Sequence, residues 1–122
     1  MYRVVIHTHF SSAHCLREYN GPCEALHGHN WKVAVAVESQ KLDRLGMVID
    51  FKILKDEVNQ LIQRLDHTYL NDIAPFDTLN PTSENIACYL FQELKAQIND
   101  ENKRVSEVRV WESEGSLAIY SE

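Results

Sequence analysis

Between His29 and Glu38 the chain alternates without a break: Trp31, Val33, Val35 and Val37 fall on one side, and Lys32, Ala34 and Ala36 on the other. A period of two belongs to a β-strand, and a strand with one bulky apolar side must set that side against a second layer. The segment therefore demands a sheet with one covered face. Val4 to Phe10 repeats the pattern, with Val4, Ile6, Thr8 and Phe10 on one face and Val5, His7 and His9 on the other. Between these runs, Arg17-Glu18-Tyr19-Asn20-Gly21-Pro22 breaks any regular element, so two antiparallel strands are the simplest reading of this half.

Beyond Gly46 the period changes. Asp50 is placed to cap a helix in which Phe51, Leu54, Val58, Leu61, Ile62 and Leu65 recur at helical spacing. Asn80-Pro81-Thr82-Ser83 opens a second helix, capped by Thr82 or Ser83, with Ile86, Leu90, Phe91, Leu94 and Ile98 as its buried stripe and Asn99 to Asn102 as its end. Val105 to Glu112 and Leu117 to Tyr120 alternate again and meet at Glu114-Gly115 in a hairpin. The expected class is α+β, in the order β-β-α-α-β-β, with an antiparallel four-stranded sheet and two helices on one face. At 122 residues the chain is expected to form one domain, residues 1–122. Such a sheet keeps two open edges, a hazard that oligomerisation through those edges removes.

Composition narrows the partners. Twelve basic residues against eighteen acidic ones give a net charge of −6, with no basic run to follow a phosphate backbone, so nucleic acid is not an expected ligand. No stretch reaches the roughly 18 apolar residues of a membrane span, and the N-terminus has no apolar leader, so a cytoplasmic location is expected. The three cysteines, Cys15, Cys23 and Cys88, fit no disulfide scaffold and are read as reduced thiols.

His27-Gly28-His29 enters the second strand, and the period of two sets both imidazoles on one face, with Gly28 letting the backbone come close. His14, beyond the end of the first strand, supplies a third imidazole if the two strands pair. Three neutral imidazoles with an open fourth position are the pattern of a catalytic zinc site. His7-Thr8-His9 has the same spacing but no glycine, no nearby thiol and no third histidine beyond His14 to join it, and is not expected to bind metal. Cys23 has two competing roles: a fourth ligand that closes a structural, non-catalytic zinc module, or a thiolate general base beside the ion. A zinc hydrolase that dispenses with Cys23 is a third reading. Asp66-His67, after the first helix, is either a local cap or a proton relay. Glu112 shares the apolar face of Val108 and Val110, where a carboxylate is either a strand-end charge turning to solvent or an acceptor for a planar donor pair on a ligand.

Taken in order, Phe10-Ser11-Ser12-Ala13-His14, Cys23-Glu24-Ala25-Leu26-His27-Gly28-His29, Leu65-Asp66-His67, Asn80-Pro81-Thr82-Ser83-Glu84-Asn85 and Val110-Trp111-Glu112 resemble the 6-pyruvoyltetrahydropterin synthase family. The three-residue gap from Cys23 to His27 looks most like the 6-carboxytetrahydropterin synthase branch of queuosine and 7-deazapurine biosynthesis. The resemblance implies the tunnelling fold (T-fold), whose subunits join edge to edge into a barrel, here a homohexamer made as a dimer of trimers, with sites between subunits. It implies a carbon-carbon and carbon-oxygen lyase that converts 7,8-dihydroneopterin triphosphate to 6-carboxytetrahydropterin, acetaldehyde and triphosphate. By the same resemblance His14, His27 and His29 hold Zn2+, Cys23 is the proton acceptor, and Asp66 and His67 assist proton transfer. Glu112 anchors the pterin ring, with Thr82, Ser83 and Glu84 near the pocket. Glu24 keeps a related activity open, since other members use a glutamate at or beside this cysteine to release 6-hydroxymethyl-dihydropterin; 6-pyruvoyltetrahydropterin is a further alternative product. Arg17, Lys32 and Lys52 are candidates for the triphosphate.

Overall fold

The computed structural model describes residues 1–19 and 25–122. Its elements are β1 (Tyr2–His14), β2 (His27–Ser39), α1 (Phe51–Leu65), β3 (Thr68–Tyr69), a 3-10 turn (Leu70–Asp72), α2 (Ser83–Ile98), β4 (Lys103–Ser113) and β5 (Ser116–Ser121). The strand order is β3-β1-β2-β4-β5. The four long strands are antiparallel neighbours, as expected. The two-residue β3 adds a fifth, pairing parallel to β1 at Ser12 and Ala13 and making the sheet mixed. Among the described residues no helix is long and apolar enough to cross a membrane.

Register decides which side chains share a layer. Phe10 faces Trp31, Ile6 faces Val35 and Val33 faces Val110, so one side of the sheet is a continuous apolar surface. Both helices complete that core: Leu54, Val58, Ile62 and Leu65 come from α1, and Ile86, Leu90, Phe91, Leu94 and Ile98 from α2. Phe10 and Trp31 stack with centroids 5.8 Å apart and planes within 8°, an arrangement worth about 0.5–1.5 kcal/mol beyond the area buried. The stripe expected for α1 is right except at its start. Phe51 is half exposed, because the first turn overhangs the layer, and it lines a surface groove with Tyr2, Leu42 and Met47 instead.

Both helix starts follow from local chemistry. Asp50 accepts a hydrogen bond from the Lys52 amide at 2.8 Å. Thr82, rather than Ser83, caps α2 by accepting from the Asn85 amide at 3.1 Å. Each satisfies one of the amides that a helix start leaves without an internal partner. The Asn85 side chain also donates to the Asn80 carbonyl, which fixes the turn ahead of α2. That turn matters for the site below.

Candidate metal centre

Strand β1 runs farther than the alternation of Val4 to Phe10 indicates, and His14 is its last residue, directly opposite His27. Even positions of β1 and odd positions of β2 share the covered face, so His14, His27 and His29 project on the same side as Phe10 and Trp31. Glu112 reaches that side from β4, in phase with Val108 and Val110. One ligand atom from each of His14, His27, His29 and Glu112 can be chosen so that all lie within 4.8 Å of one another.

Hydrogen bonds fix how the rings are turned. His14 Nδ1 lies 2.8 Å from the Pro81 carbonyl, and His27 Nδ1 lies 2.9 Å from the Ala25 carbonyl. A carbonyl oxygen only accepts, so each Nδ1 carries the proton and each Nε2 presents a lone pair. Those two Nε2 atoms face each other at 3.0 Å, with the His14 side buried. Two lone pairs at that distance repel unless a proton or a cation lies between them. Tetrahedral zinc with Zn–N bonds of about 2.0–2.1 Å sets N···N edges of roughly 3.3–3.4 Å, close to the separation present, and imidazole with carboxylate is a normal donor set for it. The residues fit the ion. Backbone carbonyls holding the second ring nitrogen are the usual outer support of such ligands.

Trp31 forms the apolar floor, edge-on to His14 at 5.0 Å and to His29 at 5.2 Å between centroids. Glu112 Oε1 lies 3.3 Å from His29 Nε2, beside the imidazoles. Gly28 has a smaller part than expected. A Cβ there would meet only the Ser12 carbonyl oxygen at 3.8 Å, an ordinary contact, so close backbone approach is not what the glycine provides. His7 and His9 are exposed on the opposite face of β1, and neither joins the ligand group.

Asp66 and His67 form a separate unit. Asp66 Oδ1 accepts from the Ser11 amide at 2.8 Å, and Oδ2 lies 2.9 Å from His67 Nδ1. The Ser11 amide, followed by His67, holds the Asp66 carboxyl below the ordinary carboxylate range. His67 takes a left-handed backbone with φ 56°, secured by its amide donating to the Ser11 carbonyl. Its ring is exposed and borders, with Ser12 and His29, a depression of about 360 Å³. Neither residue joins the ligand group of this chain.

In the turn before α2, the Thr82 hydroxyl is committed to its cap, Ser83 is buried and Glu84 is exposed, while the neighbouring Pro81 carbonyl holds His14. Sequence reasoning missed the Pro81 and Ala25 carbonyls, because a main-chain acceptor leaves no residue-type signal. Cys23 and Glu24 lie outside the described residues. Cys15 is disulfide-bonded, so the reading of three reduced thiols fails there, and Cys88 in α2 is a free thiol.

Arg17 is not placed to take a triphosphate. Its guanidinium donates to the carbonyls of Phe76 at 2.8 Å, Leu79 at 3.2 Å and Asn71 at 3.3 Å, and Asn80 bonds its main chain on both sides. It clamps the loop after β1 onto the loop before α2. Lys32 lies over the Trp111 ring at 4.7 Å, on the sheet face away from the helices. Lys52 is exposed in the first turn of α1.

Comparison with known proteins gives the family. A Synechocystis protein named 6-carboxy-5,6,7,8-tetrahydropterin synthase is 41% identical over 91 residues, covering 70% of this chain and 69% of the relative. A Pyrococcus furiosus protein named dihydroneopterin monophosphate aldolase is 32% identical over 110 residues, covering 90% and 89%. The solved structure of Caenorhabditis elegans 6-pyruvoyl tetrahydropterin synthase superposes with a TM-score of 0.81 at 27% identity, over 100% of this chain and 97% of that one. With residues 3–122 matching the family described as 6-pyruvoyl tetrahydropterin synthase, the chain belongs to that family, and its fold is the T-fold.

Proposed function

We propose that the chain is a zinc-dependent 6-carboxytetrahydropterin synthase, acting on 7,8-dihydroneopterin triphosphate and water to give 6-carboxytetrahydropterin, acetaldehyde and triphosphate. The observation that carries the metal part is the 3.0 Å approach of His14 Nε2 and His27 Nε2, both turned inward by carbonyls, with His29 and Glu112 in the same group. The relatives' names support the pterin part, with the carboxy product favoured by the Synechocystis protein. We read residues 1–122 as one such domain, working in the cytoplasm as a homohexamer with sites between subunits. The outer edge of β5 has no strand partner among the described residues, and β3 covers only two residues of β1, which supports assembly through these edges.

Zinc held by His14, His27 and His29 supplies Lewis acidity toward the hydroxyls of the substrate side chain and makes nearby protons easier to remove. Cys23 is the base that takes one such proton, an effect typically worth about 10²–10⁴ in rate. Asp66 and His67 relay protons. With His67 Nδ1 turned to Asp66, its Nε2 is left to face the substrate, so the carboxylate sets the orientation of the ring. Glu112 accepts from the guanidine-like edge of the pterin, a paired, charge-assisted contact that orients the ring. The turn of Thr82, Ser83 and Glu84 borders the pocket, a reading supported by the bond from His14 to the adjacent Pro81 carbonyl. The His67 ring is exposed at a depression that it borders with His29, which supports a site completed by a second subunit.

The Pyrococcus relative favours a second reading: an aldolase-type cleavage that releases the 6-hydroxymethyl product. Incubating the zinc-loaded protein under reducing conditions with dihydroneopterin triphosphate, then identifying products by mass, tests both. A 6-carboxy product is expected, a 6-hydroxymethyl product would establish the second reading, and the absence of any pterin product would refute the first reading, and the second too if dihydroneopterin monophosphate is also left unchanged. Cys23→Ala should retain zinc and fold while losing turnover; loss of zinc and fold together would instead mark a structural zinc module.

A further inference from the structure

Ser12 is 7% exposed, and its Oγ has no hydrogen-bond partner among the described residues. Buried hydroxyls are nearly always paired, so one left over in a native fold needs an explanation. The neighbours are committed elsewhere. Thr68, its partner on β3, donates its hydroxyl to the Leu65 carbonyl, Ser11 Oγ pairs with Asn30 at 2.7 Å, and Trp31 Nε1 donates to the Ser12 carbonyl rather than to its side chain. Ser12 lies directly opposite His29 in the β1–β2 register and two residues before His14, so its side chain is on the face that carries the imidazoles.

We propose that Ser12 is a positioning residue of the metal centre, its hydroxyl pairing with an oxygen donor that enters the histidine cluster: water in the resting protein, a substrate hydroxyl in turnover. The hydroxyl lacks a partner because that partner belongs to the loaded site. An apolar residue at this position would leave the three imidazoles in place and remove a hydroxyl whose hydrogen-bonding capacity the described residues leave unused. A hydroxyl acts as donor or acceptor, so it can serve a neutral water and a substrate alcohol alike. This inference rests on the metal reading above but not on the identity of the pterin product.

The test uses the full-length protein with Zn2+ alone and with Co2+ alone. Chelator competition gives zinc affinity, the visible spectrum of the cobalt form reports coordination, and thermal melting of the metal-free protein reports the fold. Ser12→Ala should melt at the native temperature or higher without metal, because it removes an unsatisfied buried group. It should bind zinc about 10- to 100-fold more weakly, as changes beside metal ligands typically do, and it should alter the cobalt bands. Ser12→Thr, which keeps the hydroxyl, should recover most of the affinity. Unchanged zinc affinity with an unchanged cobalt spectrum in Ser12→Ala overturns the proposal. Equal losses in Ser12→Ala and Ser12→Thr also overturn it, since shape rather than the hydroxyl would then matter. If the native protein binds zinc and shows these differences yet makes no pterin product, the proposed reaction falls and this inference stands. If the native protein binds neither metal, both fall.

Discussion

Replacing His14 by alanine should nearly abolish the stabilisation that zinc confers on the fold. A ligand at 100 times its Kd that binds only the native state stabilises it by about 2.7 kcal/mol. For 122 residues, an unfolding entropy of about 2.1 cal/mol/K per residue gives roughly 0.26 kcal/mol/K, so that stabilisation raises Tm by about 10 °C. A roughly 100-fold weakening on losing one imidazole brings the same zinc concentration down to Kd, where about 0.4 kcal/mol, or under about 2 °C, is left. Without metal the substitution has opposed effects. It leaves the buried Pro81 carbonyl without its donor, a cost of about 1–3 kcal/mol, but it also removes the lone-pair opposition between the two Nε2 atoms at 3.0 Å. The metal-free Tm should therefore fall by only about 4–8 °C, corresponding to about 1–2 kcal/mol. Differential scanning calorimetry at fixed protein concentration, with chelator and with zinc, measures both quantities; His7→Ala on the opposite face is the control and should keep the full zinc shift. A native-sized zinc shift in His14→Ala, or its loss in His7→Ala, would refute the assignment of the ligand face.

Glu112→Gln should retain its zinc while kcat/KM for the pterin substrate drops about 10- to 100-fold, the worth of a hydrogen bond to a charged acceptor; zinc loss on equilibrium dialysis with KM unchanged would make Glu112 a ligand instead. Arg17→Ala should lower Tm by about 4–12 °C, because three carbonyls lose a donor at about 1–3 kcal/mol in total, with KM unaffected. A raised KM with stability intact would return Arg17 to the substrate site. Glu38, 5% exposed, is held below the ordinary carboxylate range by hydrogen bonds first from Arg3 and then from Arg104. A carboxyl whose folded pKa is depressed contributes stability that is fully present above its unfolded value, about 4.3, and fades as the pH falls through the lower folded value. Urea titrations should accordingly show Glu38→Gln destabilised at pH 7 and progressively less so below about pH 4. A pH-independent difference would show that the Arg3 and Arg104 contacts do not act through the charge.

How far the site can be read from residues alone depends on which link of the chain sets each position. Periodicity is a property of local sequence, so the period of two through Trp31 and Val37 and the helical stripe of α2 were legible and both hold in the structure. Phase also carried His27 and His29 to one face. Register is different, because it is settled by pairing between distant segments: nothing near His14 says that it sits opposite His27, and nothing near Glu112 says that β4 brings it to His29. A bulge between Ala36 and Val37 shifts the β2–β4 pairing on the way, so counting from the far end of the strands would misplace the carboxylate. Sequence phase gave the correct face for Glu112 but not its neighbour. Arg17 shows the opposite failure, since a lone cation in a turn reads as an anion site until the carbonyls it already serves are visible. The same logic bears on Asp66 and His67. Their geometry is set within one chain, by two bonds to the main chain of the sequence-distant Ser11 and one between themselves, so they form the same unit in every copy regardless of what lies opposite. A group fixed in that way, with the His67 ring exposed at a depression it borders with His29, is suited to serve a neighbour's site. Mixing inactive His67→Ala protein with inactive Cys23→Ala protein under conditions of subunit exchange should then restore part of the activity, because some sites would draw both intact residues from different chains. No recovery after subunit exchange would place the whole constellation within one subunit.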